Sequence, residues 1–126
     1  MLTVNRATLV GHAGRDPEIR ALPKGGKAAT FSLATAEKWT DREGQPGEAT
    51  DWHRVVVYGP VVDIVERRLR KGDPVMVEGR IAIRQYQDRE GNERSLTEIV
   101  VAGPQAMVNI LAARKDKDGD NPEPTA

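Results

Sequence analysis

Stretches in which apolar and polar residues alternate at a period of two dominate this chain, and that patterning commits it to a sheet. From Val75 to Tyr86 the residues Val75, Val77, Ile81 and Ile83 fall on one face, with Arg80, Ala82, Arg84 and Tyr86 on the other. Residues 50–58 repeat the arrangement, with His53, Val55 and Val57 opposite Trp52, Arg54, Val56 and Tyr58. Residues 3–12, 28–38 and 95–101 supply three more strand patterns, and no internal repeat stands out. In residues 28–38, Phe31 shares a face with Ala29 and Leu33 and reads as core.

The period changes once. Val61, Ile64, Val65 and Leu69 recur at helical spacing over residues 60–71, with Pro60 fitting the first helical position and Gly72 the residue just past the end. Gly25-Gly26 marks a tight turn, and polar loops are expected at 40–49 and 88–92. Three strands, one short helix, then two strands is the order of an all-β fold, the five-stranded OB-fold Greek-key barrel, with its helix between strands 3 and 4. Residues 103–113 are apolar but irregular and are expected to pack on the barrel.

A length of 126 residues fits one domain. The expected division is a barrel domain over 1–113 and a disordered acidic tail over 114–126. No apolar run approaches the ~20 residues of a membrane span, and the first residues lack signal-peptide character, so a cytoplasmic setting is expected. The absence of cysteine excludes disulfides, thiolate catalysis and cysteine-based zinc. Two histidines do not make a metal site, and no serine has a nucleophile context, so neither catalysis nor a cofactor is expected. Formal net charge is zero, but 17 basic and 15 acidic residues precede Lys115, leaving the barrel slightly basic and the tail slightly acidic. That balance is unlike a duplex binder and demands local placement of cations.

Such placement is visible on the outer faces. Trp52 and Tyr58 flank Arg54, and Tyr86 accompanies Arg84, each set opposite an aliphatic face. Rings interleaved with guanidinium groups suit stacked bases and phosphates. Barrel packing or a subunit interface is the competing explanation, and for Trp39, at a strand end, the two stand even. His53 alternates with Val55 and Val57 and reads as a buried or interface histidine. Gly11-His12-Ala13-Gly14 follows a strand rather than joining helices, so it is not a KH loop. Lys24-Gly25-Gly26-Lys27 is too short for a P-loop.

Three stretches together resemble the bacterial single-stranded-DNA-binding proteins over roughly residues 4–102: Asn5-Arg6 through Gly11 to Gly14-Arg15-Asp16-Pro17-Glu18, then Trp52-His53-Arg54-Val55-Val56, and finally Leu69-Arg70-Lys71-Gly72 with Val77-Glu78-Gly79. The resemblance implies a homotetramer that wraps single-stranded DNA without reading sequence, in replication, recombination and repair. It implies base stacking on Trp39, Trp52, Tyr58 and Tyr86, and phosphate contacts from Arg6, Arg20, Arg54, Lys71 and Arg84. His53 falls at the family's subunit interface. Pro60 and Gln85 stand where relatives often carry cations, which implies weaker or more salt-sensitive binding. Relatives close on an acidic Pro-Phe tip that recruits replication and repair proteins. This chain ends Asn121-Pro122-Glu123-Pro124-Thr125-Ala126, with no terminal aromatic, so recruitment through such a tip is not among the expectations. The alternative reading is an OB-fold protein-interaction module of a primosome-type assembly.

Overall fold

The computed structural model describes residues 1–112, so the expected tail at 114–126 lies outside the described residues. Seven strands and one helix follow in order: β1 (Ala7–Ala13), β2 (Glu18–Ala21), β3 (Lys27–Thr40), β4 (Pro46–Tyr58), α1 (Val61–Arg68), β5 (Pro74–Gln87), β6 (Glu93–Val101) and β7 (Met107–Ile110). Five of them close a barrel: β1 joins β3, β3 joins β4, β4 joins β6 in parallel, β6 joins β5, and β5 returns to β1. This is an OB-fold barrel. The two strands beyond the expected five are short additions, β2 on β3 and β7 on β5. The second corrects the irregular reading of residues 103–113, because Met107–Ile110 forms a ladder with Val75–Glu78.

Alternation builds the interior as expected. Phe31 and Leu33 of β3, Val55 and Val57 of β4, Val75 and Val77 of β5, and Ile99 and Val101 of β6 meet in one buried cluster. The helix joins that cluster through Val62, Val65 and Leu69. The expected stripe holds at Val65 and Leu69, with Val61 packed against the cluster, but Ile64 is exposed and Val62 is buried instead. Spacing of three and four residues fits either Val62 or Ile64 beside Val65 and Leu69, and packing against the barrel buries Val62. The helix stops early because Leu69 turns extended to bury itself, which leaves Gly72 in the following turn rather than at the helix end.

The second difference concerns how far the ladders run. The β3–β4 register continues from Ala28↔Tyr58 to Thr40↔Pro46, so both flanks of the expected loop at 40–49 are strand and only 41–45 form the turn. The β5–β6 register likewise reaches Gln87↔Glu93. Both ribbons project beyond the barrel as arms, and residues there have no core beneath them. Ile83, on that arm, is 67% exposed, and Ile81, at the edge of the barrel, is 42% exposed, although both were expected to face inward. At the barrel wall Asn5 acts as a surrogate strand: its amide donates to the Ile81 carbonyl at 2.8 Å and accepts the Ile81 N–H at 2.9 Å. This bracket replaces the first residues of the strand expected over 3–12.

Near-identical pentapeptides close the two arms, Asp41-Arg42-Glu43-Gly44-Gln45 and Asp88-Arg89-Glu90-Gly91-Asn92. In each, one aspartate oxygen accepts the backbone N–H groups two and four residues on, at 2.8–2.9 Å. Each glycine takes a positive φ, 78° and 83°, which admits the turn without strain. Only the second tip is stapled by a cross-strand arginine, Arg94 Nε donating to Asp88 Oδ2 at 3.0 Å.

Two predictions follow from this packing. Replacing the fully buried Leu33 by alanine is expected to cost ~2–5 kcal/mol in a denaturant titration. The Asn92 backbone N–H above all, with Arg94 and the Glu90 N–H, holds the Asp88 carboxyl below the usual 3.8. A depressed folded value means the turn is supported above pH 3.8 and loses that support as pH falls through the folded value. NMR titration should give an Asp88 midpoint below 3.8, with the Glu90 and Asn92 amide resonances moving in step.

Candidate nucleic-acid interface

Residues opposed across a ladder point to the same side, so the registers map the outer face. His12, Ala34 and Trp52 form one row, and Ser32, Arg54, Glu98 and Ala82 form the next. Beyond them lie Glu18, Thr30, Val56, Val100 and Arg80, then Arg20, Ala28 and Tyr58. The parity read from residues 50–58 holds, with one qualification: Val56 on the outer side is only 2% exposed. The outer face is a strip of polar and aromatic groups around an apolar centre.

Both tryptophans are supported in the same way. A side chain at Gly14 would collide with the six-membered ring of Trp52, and one at Gly47 would collide with the indole of Trp39. Each indole thus rests on glycine backbone, while Trp52 remains 62% and Trp39 47% exposed. A ring backed on one side and open on the other is what a stacked base requires. Trp39 sits opposite Gly47 on the β3–β4 arm, five residues beyond Ala34 and hence ~17 Å along the strand from the Trp52 row. Tyr86 occupies the matching place on the second arm, opposite Arg94 and two residues before its turn. Tyr58 is half-buried in a cleft with Pro60 and Pro104, so its ring is less available than the other three.

An open cavity of about 300 Å³ adjoins Trp52 and is lined by Arg15, Glu18, Thr30, Ser32 and Arg54. Arg15 belongs to a motif quoted above yet was not among the expected contacts. Lys71 reaches the same end of the barrel, because its backbone N–H donates to Asp16 Oδ1 at 2.9 Å and Gly72 N–H donates to the Ala13 carbonyl at 2.8 Å. Arg20 shares the Tyr58 row. Arg6 lies elsewhere, in a second open cavity of about 300 Å³ with Asn5, Glu78 and Arg80. Arg80 continues along β5 to Ala82 and Arg84 on one face, so this second cation pair borders the same strip.

The least expected group is Glu98. Its side chain is 8% exposed, and Oε2 accepts from Arg54 Nε at 2.8 Å and from Arg84 Nη2 at 3.0 Å. Two of the expected phosphate contacts are therefore joined through one carboxylate. A glutamate directly before the apolar run Ile99-Val100-Val101 was the signal for it in the sequence. His53 points away from this face, toward the barrel side of Leu33, with Nε2 2.9 Å from Thr35 Oγ1. The structure thus brings Trp52, Arg54 and Arg84 onto one face, holds the Lys71 backbone against Asp16 at one end of the barrel, sets Trp39 and Tyr86 on the arms, and separates His53 from them.

Residues 4–108 match the Single-strand binding protein family. A solved structure, the Plasmodium falciparum SSB complex with ssDNA, is similar over 89% of this chain and 98% of that one, with a TM-score of 0.82 and 37% identity. The matched segment spans the whole barrel, both arms and the arginine-bearing face, and the chain belongs to the single-strand binding protein family.

Proposed function

We propose that this protein binds single-stranded DNA without reading its sequence and protects it during replication, recombination and repair. The observation that carries this is the pair of glycine-backed, outward-open tryptophan rings, one beside Arg54 and one on an arm. Stacking accepts any base because every base has a π-face, and arginines beside the rings meet phosphates rather than base edges. Bases stack on Trp39, Trp52 and Tyr86, with a smaller share on Tyr58. Arg6, Arg15, Arg20, Arg54, Lys71, Arg80 and Arg84 supply the positive border, and binding weakens as salt rises. The barrel domain over 1–113 is the binding unit, and the action is binding rather than chemistry, in the compartment that holds the DNA.

The working form is a homo-oligomer, a tetramer by the resemblance. Its support is β1, which pairs with β5 along 7–12 but with β3 only at His12 and Ala13. Val10 on that strand is 57% exposed, and an open strand edge with an apolar residue invites a second copy. His53, on the side away from the rings, belongs to such an interface rather than to DNA.

Replacing Trp52 by alanine should weaken poly-dT binding by ~1–3 kcal/mol in a fluorescence-quenching titration, with the circular dichroism spectrum unchanged. Unaltered affinity would reject the stacking platform and favour the protein-interaction module. Gly47→Ala, on an arm outside the core, should displace the Trp39 ring, shift its emission and weaken binding while leaving the melting temperature in place. Sedimentation is expected to give about four times the 13.8 kDa chain mass, and a monomer would remove the tetramer.

A further inference from the structure

We propose that Glu98 sets the charge of the DNA-facing sheet, as a positioning residue that holds Arg54 and Arg84 together and cancels one of their two charges. The inference rests on the single-stranded DNA reading above and deepens it. Glu98 stands in β6 between Arg54 of β4 and Ala82 of β5. Arg84 follows Ala82 by one position on the same face of β5 and reaches Glu98 from there. Both guanidinium groups converge on the same oxygen, Oε2.

A carboxylate this buried is costly unless charged donors satisfy it, and two guanidinium groups so close repel unless an anion lies between them. Each therefore needs the other. Among the described residues, Glu98 is the only acidic side chain paired with either arginine. Arg54 engages it through Nε, which leaves both of its terminal nitrogens for a phosphate. The arginines are 40% and 55% exposed, so their outer donors meet solvent while the carboxylate stays beneath. The cluster thus offers a fixed array of donors with a net charge of +1 rather than +2. That limits how strongly the face holds a polyanion without loosening its geometry.

Counterion release makes this measurable, since each phosphate neutralised on a single strand contributes about −0.7 to the slope of log affinity against log salt. Poly-dT affinity is followed by tryptophan quenching between about 50 and 200 mM salt. Glu98→Gln keeps the shape and removes the charge, so its slope should steepen by about 0.7 relative to the unaltered protein. Over that range it should lose roughly 2.5-fold more affinity. Arg84→Gln, which leaves Arg54 fully cancelled, should be shallower by a similar amount. The double variant returns the cluster to +1, and its slope should match that of the unaltered protein.

An unchanged or shallower slope for a folded Glu98→Gln protein overturns the assignment. If that variant fails to fold, equal slopes for Arg84→Gln and the double variant overturn it instead. Should the unaltered protein show no salt-sensitive quenching at all, the DNA reading itself falls. Quenching in the unaltered protein with no slope change in the variants removes Glu98 alone.

Discussion

The register of β3 against β4 is the constraint on which the rest of the molecule depends. It sets Phe31 opposite Val55 and Ala29 opposite Val57 inside the barrel. The same ladder sets Ser32 opposite Arg54 and Ala34 opposite Trp52 outside it. Continued past the barrel, it seats Trp39 across from Gly47. A slip of one residue would carry every one of these side chains to the wrong face. The buried valines resist that slip, because it would expose them and bury an arginine and a tryptophan. Core packing and the alignment of the binding surface are thus one choice, made once.

Glycine backbone converts that register into usable rings. Trp52 lies against Gly14 and Trp39 against Gly47, so each indole gives one face to the protein and keeps the other. The support also limits rotamer freedom, which lowers the ordering cost when a base arrives. Charge is handled with the same economy, since Glu98 lies under Arg54 and Arg84 and holds them by short contacts. Breaking such a cluster by removing one member is more damaging than the net worth of the cluster suggests, because it strands the remaining charge.

Period-two alternation made the core legible: Phe31, Val55, Val57, Val75 and Val77 are buried where their parity puts them. The same parity located the outer rings and Arg54 on β4. It failed at Ile81 and Ile83, because alternation reports which side a residue faces and not whether anything lies beneath it. It failed for the helix as well, where Ile64 and Val62 are interchangeable in period and only the barrel floor distinguishes them. The polar reading of residues 40–49 missed a ladder, since a two-stranded arm exposed on both faces has no apolar alternation to betray it. Arg15 went unnoticed for another reason: it lies in the bend after β1, and its nearness to Trp52 comes from the pairing of β1 and β4 on either side of β3.

By itself, the amino-acid sequence determined the five barrel strands along the chain, the helix between the third and fourth of them, most of the barrel core and the presence of rings beside arginines, because these depend on local periodicity. The motifs from Asn5 to Gly79 carried the family as well. Only the tertiary structure decided that two arms extend from the barrel, that glycines back the tryptophans, and that Arg54 and Arg84 share Glu98. Those are relations between residues far apart in the chain, and backbone pairing in three dimensions is what brings them together.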